Sequence, residues 1–116
     1  MQYMLLIYAN EAHMPAAKPG EENQVSPAYL AYTQALHEAK VWRAGDRLQP
    51  TAMATTVRMV NGKSEVLNGP YAETKEQLGG YYLIDVPDLD AALSWAARCP
   101  GATHGRVEVR PLWLMQ

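Results

Sequence analysis

Three histidines are the side chains of this sequence best suited to moving protons. His13 follows the first apolar segment, His37 lies in the first predicted helix, and His104 precedes the last predicted strand. Imidazole takes up and releases protons nearest to neutral pH, which suits a general base. No two of the three have the spacing of metal ligands, so we predict no zinc site. His13 is the strongest candidate base, because a residue just beyond a strand can overhang a cavity.

Tyrosines dominate the aromatic side chains, with seven Tyr, three Trp and no Phe in the chain. Tyr and Trp carry a polar group that needs a partner when it is buried. They suit a half-wet cavity or a subunit interface, and equally the margin of an ordinary core, so both interpretations stay open. The side chains that we predict to bind a ligand are Tyr8, Arg58, Asn68, Tyr71 and Tyr82.

Other polar candidates give a weaker chemical signal. Asp85 and Arg58 interrupt apolar segments and could bind opposite ends of a polar ligand if they face one cavity, although strand ends beside water explain both. Cys99 is the single cysteine, which excludes an internal disulfide. Its position on an apolar helix stripe predicts a buried, unreactive thiol. The sequence has no phosphate-binding loop and no cofactor motif, so we predict no cofactor.

The composition is that of a soluble globular chain with one domain, 116 residues long. Ten basic and twelve acidic residues give a net charge of -2, which argues against a nucleic-acid partner. The apolar run at residues 4–9 is too short to cross a bilayer or to form the core of a signal peptide. A single cysteine fits a reducing compartment, so we predict a cytoplasmic protein with no membrane partner.

The first fifty residues predict a strand, a loop, a helix and a short extended segment. "QYMLLIYAN" predicts a strand, and its run of apolar residues indicates that both faces are covered. Residues 11–25 are rich in Ala, Pro, Gly and Glu and predict a loop. Ser26-Pro27 predicts a helix start, since the Ser hydroxyl caps free N–H groups and Pro fits the first helical position. The helix continues through "AYLAYTQALHEAK" and ends by Gly45, and "KVWRAGDRLQP" leaves it as an extended segment.

A tight hairpin and a longer excursion fill the middle of the chain. "ATTVRMV" and "KSEVL" predict strands joined by Asn61-Gly62, which tolerates positive φ at both turn positions. Pro70 lacks the amide hydrogen for another such ladder, so the chain leaves the sheet there. "YAETKEQ" predicts a helical turn, and Gly79-Gly80 returns the chain to the strand "YYLIDV". This excursion either crosses a groove and binds a ligand or is a plain connector.

The last third of the chain predicts a helix and a final strand. Asp88 caps the helix "LDAALSWAARC", and Pro100-Gly101 ends it. "RVEVRPLW" alternates apolar and charged residues, as a half-buried strand does. The helix carries an apolar stripe suited to a sheet face, formed by Leu89, Ala92, Leu93, Ala96 and Cys99.

This order of elements predicts a ferredoxin-like α+β fold, with an antiparallel sheet and two helices on one of its faces. The other face must then be covered, since residues 4–7 and 81–84 are apolar on both sides of their strands. A second copy of the chain is the simplest cover. We therefore predict a homodimer whose two sheets pack face to face.

Nearly the whole chain resembles a known family. The segments that carry the resemblance are "MQYMLLIYANE", "AGDRLQP", "ATTVR", "NGPYAETKEQLGGYYLIDVPDLDAALSWAARCP" and "GRVEVRP". They resemble the YCII-related family, specifically its DGPF-domain branch, as a single domain over residues 1–116. The resemblance implies a dimeric α/β barrel. Wider relatives include small enzymes that process aromatic rings, such as dehydrochlorinases and muconolactone-isomerase-like proteins, and members of the branch are often encoded beside extracytoplasmic-function sigma factors.

One position departs from the Asp-Gly-Pro-Phe motif of the branch, which is Asn68-Gly69-Pro70-Tyr71 in this chain. An aspartate can act as a base, whereas Asn68 cannot ionise. Either the position is structural, with the side-chain oxygen holding the turn, or this member has lost an acid–base function. The turn chemistry of Asn and Asp favours the structural role.

The sequence and the resemblance together predict a small-molecule-binding domain. If it is an enzyme, the predicted activity is cofactor-free acid–base chemistry on a small cyclic or aromatic compound. The pocket would lie between sheet and helices under the excursion, with His13 as the base and Tyr71 or Tyr82 as a hydrogen-bond donor. The alternative is a non-catalytic regulatory or interaction protein associated with a sigma-factor system, and Asn68 is the feature that favours it.

Overall fold

The computed structural model describes residues 1–13, 20 and 25–114, which form strands and helices. The strands within these ranges are β1 (Gln2–Ala9), β2 (Trp42–Arg47), β3 (Thr55–Val60), β4 (Lys63–Asn68), β5 (Gln77–Asp85) and β6 (Arg106–Pro111). The helices are α1 (Pro27–Glu38), α2 (Leu89–Arg98) and α3 (Gly101–His104). Single 3₁₀ turns at Glu11–His13 and Thr51–Met53 follow β1 and precede β3.

Four of the strands form one antiparallel sheet in the order β2-β5-β1-β6. The strand β1 is central and pairs with both β5 and β6, with Leu5 opposite Tyr82 on one side and Val109 on the other. The helices α1 and α2 connect β1 to β2 and β5 to β6. This arrangement confirms the predicted α+β class with an antiparallel sheet.

The core lies between this sheet and the two longer helices. Alternation along β1 points Tyr3, Leu5 and Ile7 toward the helices, and all three are buried. Across from them, α1 contributes Tyr32 and Leu36. Both helices therefore cover the same face of the sheet, and each fully buried leucine contributes roughly 1.5–3 kcal/mol of transfer free energy.

Both predicted helix starts are confirmed by their caps. The Oγ of Ser26 accepts a hydrogen bond from the Tyr29 amide at 3.3 Å, and Oδ1 of Asp88 accepts one from the Ala91 amide at 2.9 Å. Each bond satisfies an amide that has no partner inside its helix. Helical structure resumes after Pro100 as the short α3, so Pro100-Gly101 ends α2 without ending the helical segment.

The predicted apolar stripe of α2 is only partly correct. Ala92, Ala96 and Cys99 are buried, whereas Leu89 and Leu93 are about half exposed. The sheet contact is made by the two alanines, whose small side chains let the helix approach closely. The leucines then fall beside the contact instead of within it.

The predicted hairpin is confirmed, but it lies outside the main sheet. Asn61 has a φ of 50° and Gly62 a φ of 77°, the values required by the tight two-residue turn. Strands β3 and β4 pair with each other as a separate two-stranded sheet. We call this hairpin, residues 55–68, the arm.

The excursion differs from the prediction in two respects. Residues 71–76 form bends, not a helical turn, because the side chains of Thr74 and Gln77 bind nearby carbonyl oxygens. The strand β5 already starts at Gln77, so Gly79 and Gly80 lie inside it, next to an irregularity in the pairing with β1. A Cβ on Gly80 would meet the Asp46 carbonyl oxygen at 2.9 Å, which explains that glycine. Most of the loop predicted for residues 11–25 lies outside the described residues.

The position of Leu36 gives a first prediction. Its side chain is 0% exposed, whereas Leu30 on the same helix is 61% exposed. We expect Leu36→Ala to lower the free energy of unfolding by about 2–5 kcal/mol, because it leaves a cavity in the core. Urea denaturation measures the loss. Leu30→Ala is the matched control and should change stability by less than about 0.5 kcal/mol; equal losses would contradict the core described above.

Candidate functional site

The space between the sheet and the helices is filled by tyrosine rings. Tyr82 lies 5.3 Å from Tyr32, centroid to centroid, in an edge contact, and its hydroxyl is 3.0 Å from the Thr33 hydroxyl. The Tyr32 hydroxyl donates to the Trp95 carbonyl at 2.7 Å. The polar ends of these rings are thus satisfied inside the core. Packing occupies the space around these rings, and the role of Tyr82 as a donor to a ligand stays a prediction.

A cavity of about 840 Å³ lies instead where β1 ends and β6 begins. We call it the mouth cavity. Its polar lining includes Tyr8, His13, Lys75, Glu76, His104 and Arg106. Two predicted candidates, Tyr8 and His13, therefore line the same cavity. The excursion contributes Lys75 and Glu76, so this part of it borders a depression as predicted.

Short local contacts position the two histidines of the mouth cavity. His13 ends the 3₁₀ turn after β1, where the Asn10 carbonyl accepts its amide at 3.0 Å and Asn10 Oδ1 accepts the Ala12 amide at 2.9 Å. His104 ends α3 and is followed by Gly105. A Cβ at Gly105 would lie 1.9 Å from the Tyr8 carbonyl oxygen. Only glycine permits this approach, which brings the end of α3 against β1.

Charged side chains border the cavity on the side away from the helices. Arg106 lies directly opposite Tyr8 in the sheet, and its Nε is 3.5 Å from Oε1 of Glu76. Because Glu76 leads into β5 and Arg106 starts β6, the ion pair spans the end of β1 between them. Such an exposed pair contributes about 0–1 kcal/mol. Glu108 and Lys75 also line the cavity, so its acidic and basic side chains balance in number.

The remaining predicted ligand-binding residues lie away from this cavity. Arg58 is on the arm, where its Nε is 3.0 Å from Oε1 of Glu65. Asn68 is the last residue of the arm, and Tyr71 is 90% exposed. The turn after Asn68 is held by other groups: the Ala54 carbonyl accepts the Gly69 amide at 2.7 Å. Tyr71 therefore does not line the mouth cavity, and its role as a donor to a ligand stays a prediction.

Asp85 and Arg58 do not meet. The Asp85 carboxylate accepts from the Met1 amino group at 2.9 Å and lies 3.3 Å from Arg43. The hydrogen bond from the amino group, with the help of both positive charges, holds the pKa of Asp85 below its usual value. His37 is likewise outside the cavity, stacked 4.5 Å from the ring of Trp42.

Sequence reasoning missed the side chains that come from distant elements. Lys75, Glu76 and Arg106 carry no motif, and His104 was a weaker candidate than His13. The signal that could have found Arg106 and His104 is the pairing register: once β6 is placed beside β1, Arg106 must lie opposite Tyr8. Among the residues described, no group of three or more His, Cys, Asp or Glu could hold a metal ion. None of the helices in these ranges is long and apolar enough to cross a membrane.

Comparison with known proteins identifies the family. The sequence profile of the YCII-related domain matches residues 1–116. The chain belongs to the YCII-related domain family. A relative in Rhizobium meliloti (strain 1021), "Uncharacterized protein R00369", is 40% identical over 116 residues, which covers 98% of this YCII-related domain and 94% of the relative.

A solved structure is also similar to this YCII-related domain. It is 5-chloro-2-hydroxyhydroquinone dehydrochlorinase (TftG) from Burkholderia phenoliruptrix AC1100, in complex with 2,5-dihydroxybenzoquinone. The alignment covers 97% of this chain and 94% of the dehydrochlorinase, with 14% sequence identity and a TM-score of 0.48.

The buried tyrosines of this YCII-related domain predict a loss of stability in alkali. Burial raises the pKa of Tyr29, Tyr32 and Tyr82, and also that of the Cys99 thiol. The unfolded chain therefore releases protons first, beginning near the ordinary values of 9.0 for Cys and 10.0 for Tyr. Since the folded state then holds more protons, the free energy of unfolding falls as the pH rises above about 9 and is constant with respect to these groups below it.

Tyr32→Phe tests this expectation. The variant removes one titrating hydroxyl, so its free energy of unfolding should fall less steeply with pH than that of the wild type between about pH 9.5 and 11. Denaturant unfolding at a series of pH values measures both slopes. Parallel alkaline slopes for the two proteins would contradict the assignment of Tyr32 as a buried titrating group.

Proposed function

We propose that this YCII-related domain binds a small cyclic or aromatic compound in the mouth cavity and performs cofactor-free acid–base chemistry on it. One observation carries the proposal: His13 and His104, far apart in the sequence, line a single cavity together with Tyr8. Histidine is the side chain best suited to both proton uptake and proton release near neutral pH. Titratable groups of different kinds around one depression are a usual feature of such sites.

In this proposal His13 accepts a proton from an acidic C–H or O–H group of the ring compound. The electron pair left behind moves onto a ring oxygen, where the Tyr8 hydroxyl donates a hydrogen bond. His104, when protonated, returns a proton to a different atom of the ring. The donor role expected for Tyr71 or Tyr82 passes to Tyr8, because Tyr71 is exposed and Tyr82 is buried in the core. Lys75 and Arg106 would attract an ionised oxygen of the ligand.

A binding measurement with 2,5-dihydroxybenzoquinone tests the site, because this compound is a flat ring with two acidic hydroxyls. We expect His13→Gln and His104→Gln each to weaken binding by at least about tenfold, corresponding to roughly 1.4 kcal/mol. Calorimetric titration and the imidazole NMR signals of the wild type report the contact. His37→Gln is the matched control, since His37 is exposed and outside the cavity, and it should bind as the wild type does. Equal affinity in all three variants would remove the histidines from the site.

We further propose that the protein is a homodimer formed through the uncovered face of the main sheet. This open face consists of Met4 and Leu6 of β1 and Tyr81 and Leu83 of β5, which point away from the helices. All four are half-buried in a single chain and flanked by charged residues of β6. An apolar centre with a polar border is typical of an interface between protein subunits.

Leu6→Arg tests this interface. A charge in the middle of the open face cannot be paired when two such faces meet, so the dimer dissociation constant should rise by at least about tenfold. Sedimentation at micromolar concentration measures the mass against 12.9 kDa for one chain. Leu93→Arg places the same charge on a half-exposed site of α2 and should leave the mass unchanged. A wild-type protein that sediments as a single chain contradicts the proposal at once.

The second candidate function is a non-catalytic partner of a regulatory protein, such as a component of a sigma-factor system. The observation that favours it is the surface position of Asn68 and Tyr71, which are exposed and outside the mouth cavity. This candidate includes membership of the DGPF branch. It also includes a cytoplasmic location, which the free, buried thiol of Cys99 favours. Co-purification separates the candidates: a stoichiometric protein partner together with no binding of 2,5-dihydroxybenzoquinone supports the regulatory role.

A further inference from the structure

The arm is an amphipathic ribbon with an exposed apolar face. Alternation along its two strands places Val57, Met59 and Val66 on one face, with Val57 directly opposite Val66. The other face carries the ion pair of Arg58 and Glu65 and the charge of Lys63, together with Val60 and Leu67. The charged side chains of the arm thus lie on one face, as in a sheet that is covered on its uncharged side. The apolar side chains are nonetheless more than 60% exposed in a single chain.

The arm is fixed at its base, although it does not pack on the body of its own chain. Thr56 Oγ1 donates to the Gly69 carbonyl at 2.9 Å and closes the base of the hairpin. The Glu11 carboxylate accepts two hydrogen bonds from Thr51, at 2.9 Å from the amide and 2.7 Å from the hydroxyl. These contacts give the arm a defined direction. A two-stranded ribbon alone is only marginally stable in water, so the apolar face needs a surface to pack against.

The radius of gyration and the exposed surface area of the chain indicate, independently, how much surface a partner could cover. The radius of gyration of the Cα atoms is 16.2 Å, whereas a compact domain of this length has about 13 Å. The chain exposes 8981 Å², whereas a monomeric protein of this mass exposes about 6,300 Å². The twelve residues outside the described ranges account for at most about 1,900 Å² of the difference when counted as fully exposed. At least roughly 800 Å² remains, which is as much as each partner buries in a standard interface.

We propose that the apolar face of the arm packs against a second copy of this chain and extends the interface of the open faces. The inference rests on the proposed homodimer but not on the chemistry of the mouth cavity. A second copy fits because the chain presents both an apolar arm and an apolar open face. A two-fold axis that pairs the two open faces also forms each arm contact twice, once from each chain. The face with Arg58 and Glu65 then stays in water, where an ion pair belongs.

A pair of neighbouring substitutions tests the arm. Val66 is 61% exposed and Leu67 is 59% exposed, on opposite faces of β4. Val66→Asp and Leu67→Asp therefore make the same charge change at equally accessible sites of one strand. We expect Val66→Asp to raise the dimer dissociation constant by at least about tenfold, while Leu67→Asp stays within about threefold of the wild type. Equal effects, or no effect of Val66→Asp, overturn the proposal.

Thiol labelling gives a second readout that does not depend on the tolerance of the arm for aspartate. Cys99 is buried, so a cysteine introduced on the arm is the reactive one in the native protein. Met59→Cys lies on the apolar face and Lys63→Cys on the other. At concentrations where the protein is dimeric, maleimide should modify Met59→Cys at least about tenfold more slowly than Lys63→Cys, and dilution should remove the difference.

The outcomes of these experiments distinguish a contact made by the arm from a contact made by the open face. If Leu6→Arg dissociates the dimer while Met59→Cys reacts as fast as Lys63→Cys in the wild-type dimer, the arm proposal is wrong and the sheet interface stands. If Met59→Cys is protected in a protein that sediments as one chain, the arm packs on its own chain, and both proposals fail. Slow modification that is relieved by dilution, together with the Val66→Asp effect, supports the arm as an intersubunit contact.

Discussion

The strand β1 lies between β5 and β6 and is apolar on both sides, and the rest of the structure depends on this. Leu5 and its neighbours at alternate positions bury against the helices, while Met4 and Leu6 point the other way. One layer of helices cannot bury the apolar side chains on both sides of such a strand. The fold covers one side with α1 and α2 and leaves the other side apolar in the centre and charged at the β6 edge.

The mouth cavity is a consequence of the same central strand. The sheet loses its regular pairing at the end of β1, where the register with β5 shifts between Ile7 and Tyr8. The chain then turns immediately at Asn10, while Gly105 brings the end of α3 against Tyr8. Polar side chains from three separate segments meet at this point because each segment enters or leaves the sheet there. The candidate site is thus located where the sheet ends, whereas Tyr32 and Tyr82 pack against each other in the core.

Local signals in the sequence predicted local structure well. The Ser26 and Asp88 caps, the Asn61-Gly62 turn and the alternation of β6 depend on neighbouring residues, and each was correct. Features that depend on packing between residues far apart in the sequence were harder to predict. The tyrosines were predicted to line a pocket because their composition does not reveal that Tyr32 finds its partner at Trp95, 63 positions away. The site was half predicted for the same reason: Tyr8 and His13 belong to one segment, whereas His104 and Arg106 reach it only through the pairing of β6.

Glu11 joins the turn after β1 to the segment that precedes the arm. Its oxygens hold Thr51 at the root of the arm, its amide binds the Gln77 side chain at 2.9 Å, and it lies two residues before His13. Glu11 therefore ties the segment before the arm to the turn that ends at His13. In the proposed dimer, a contact made by the arm would bear on the position of His13 through this one acidic side chain.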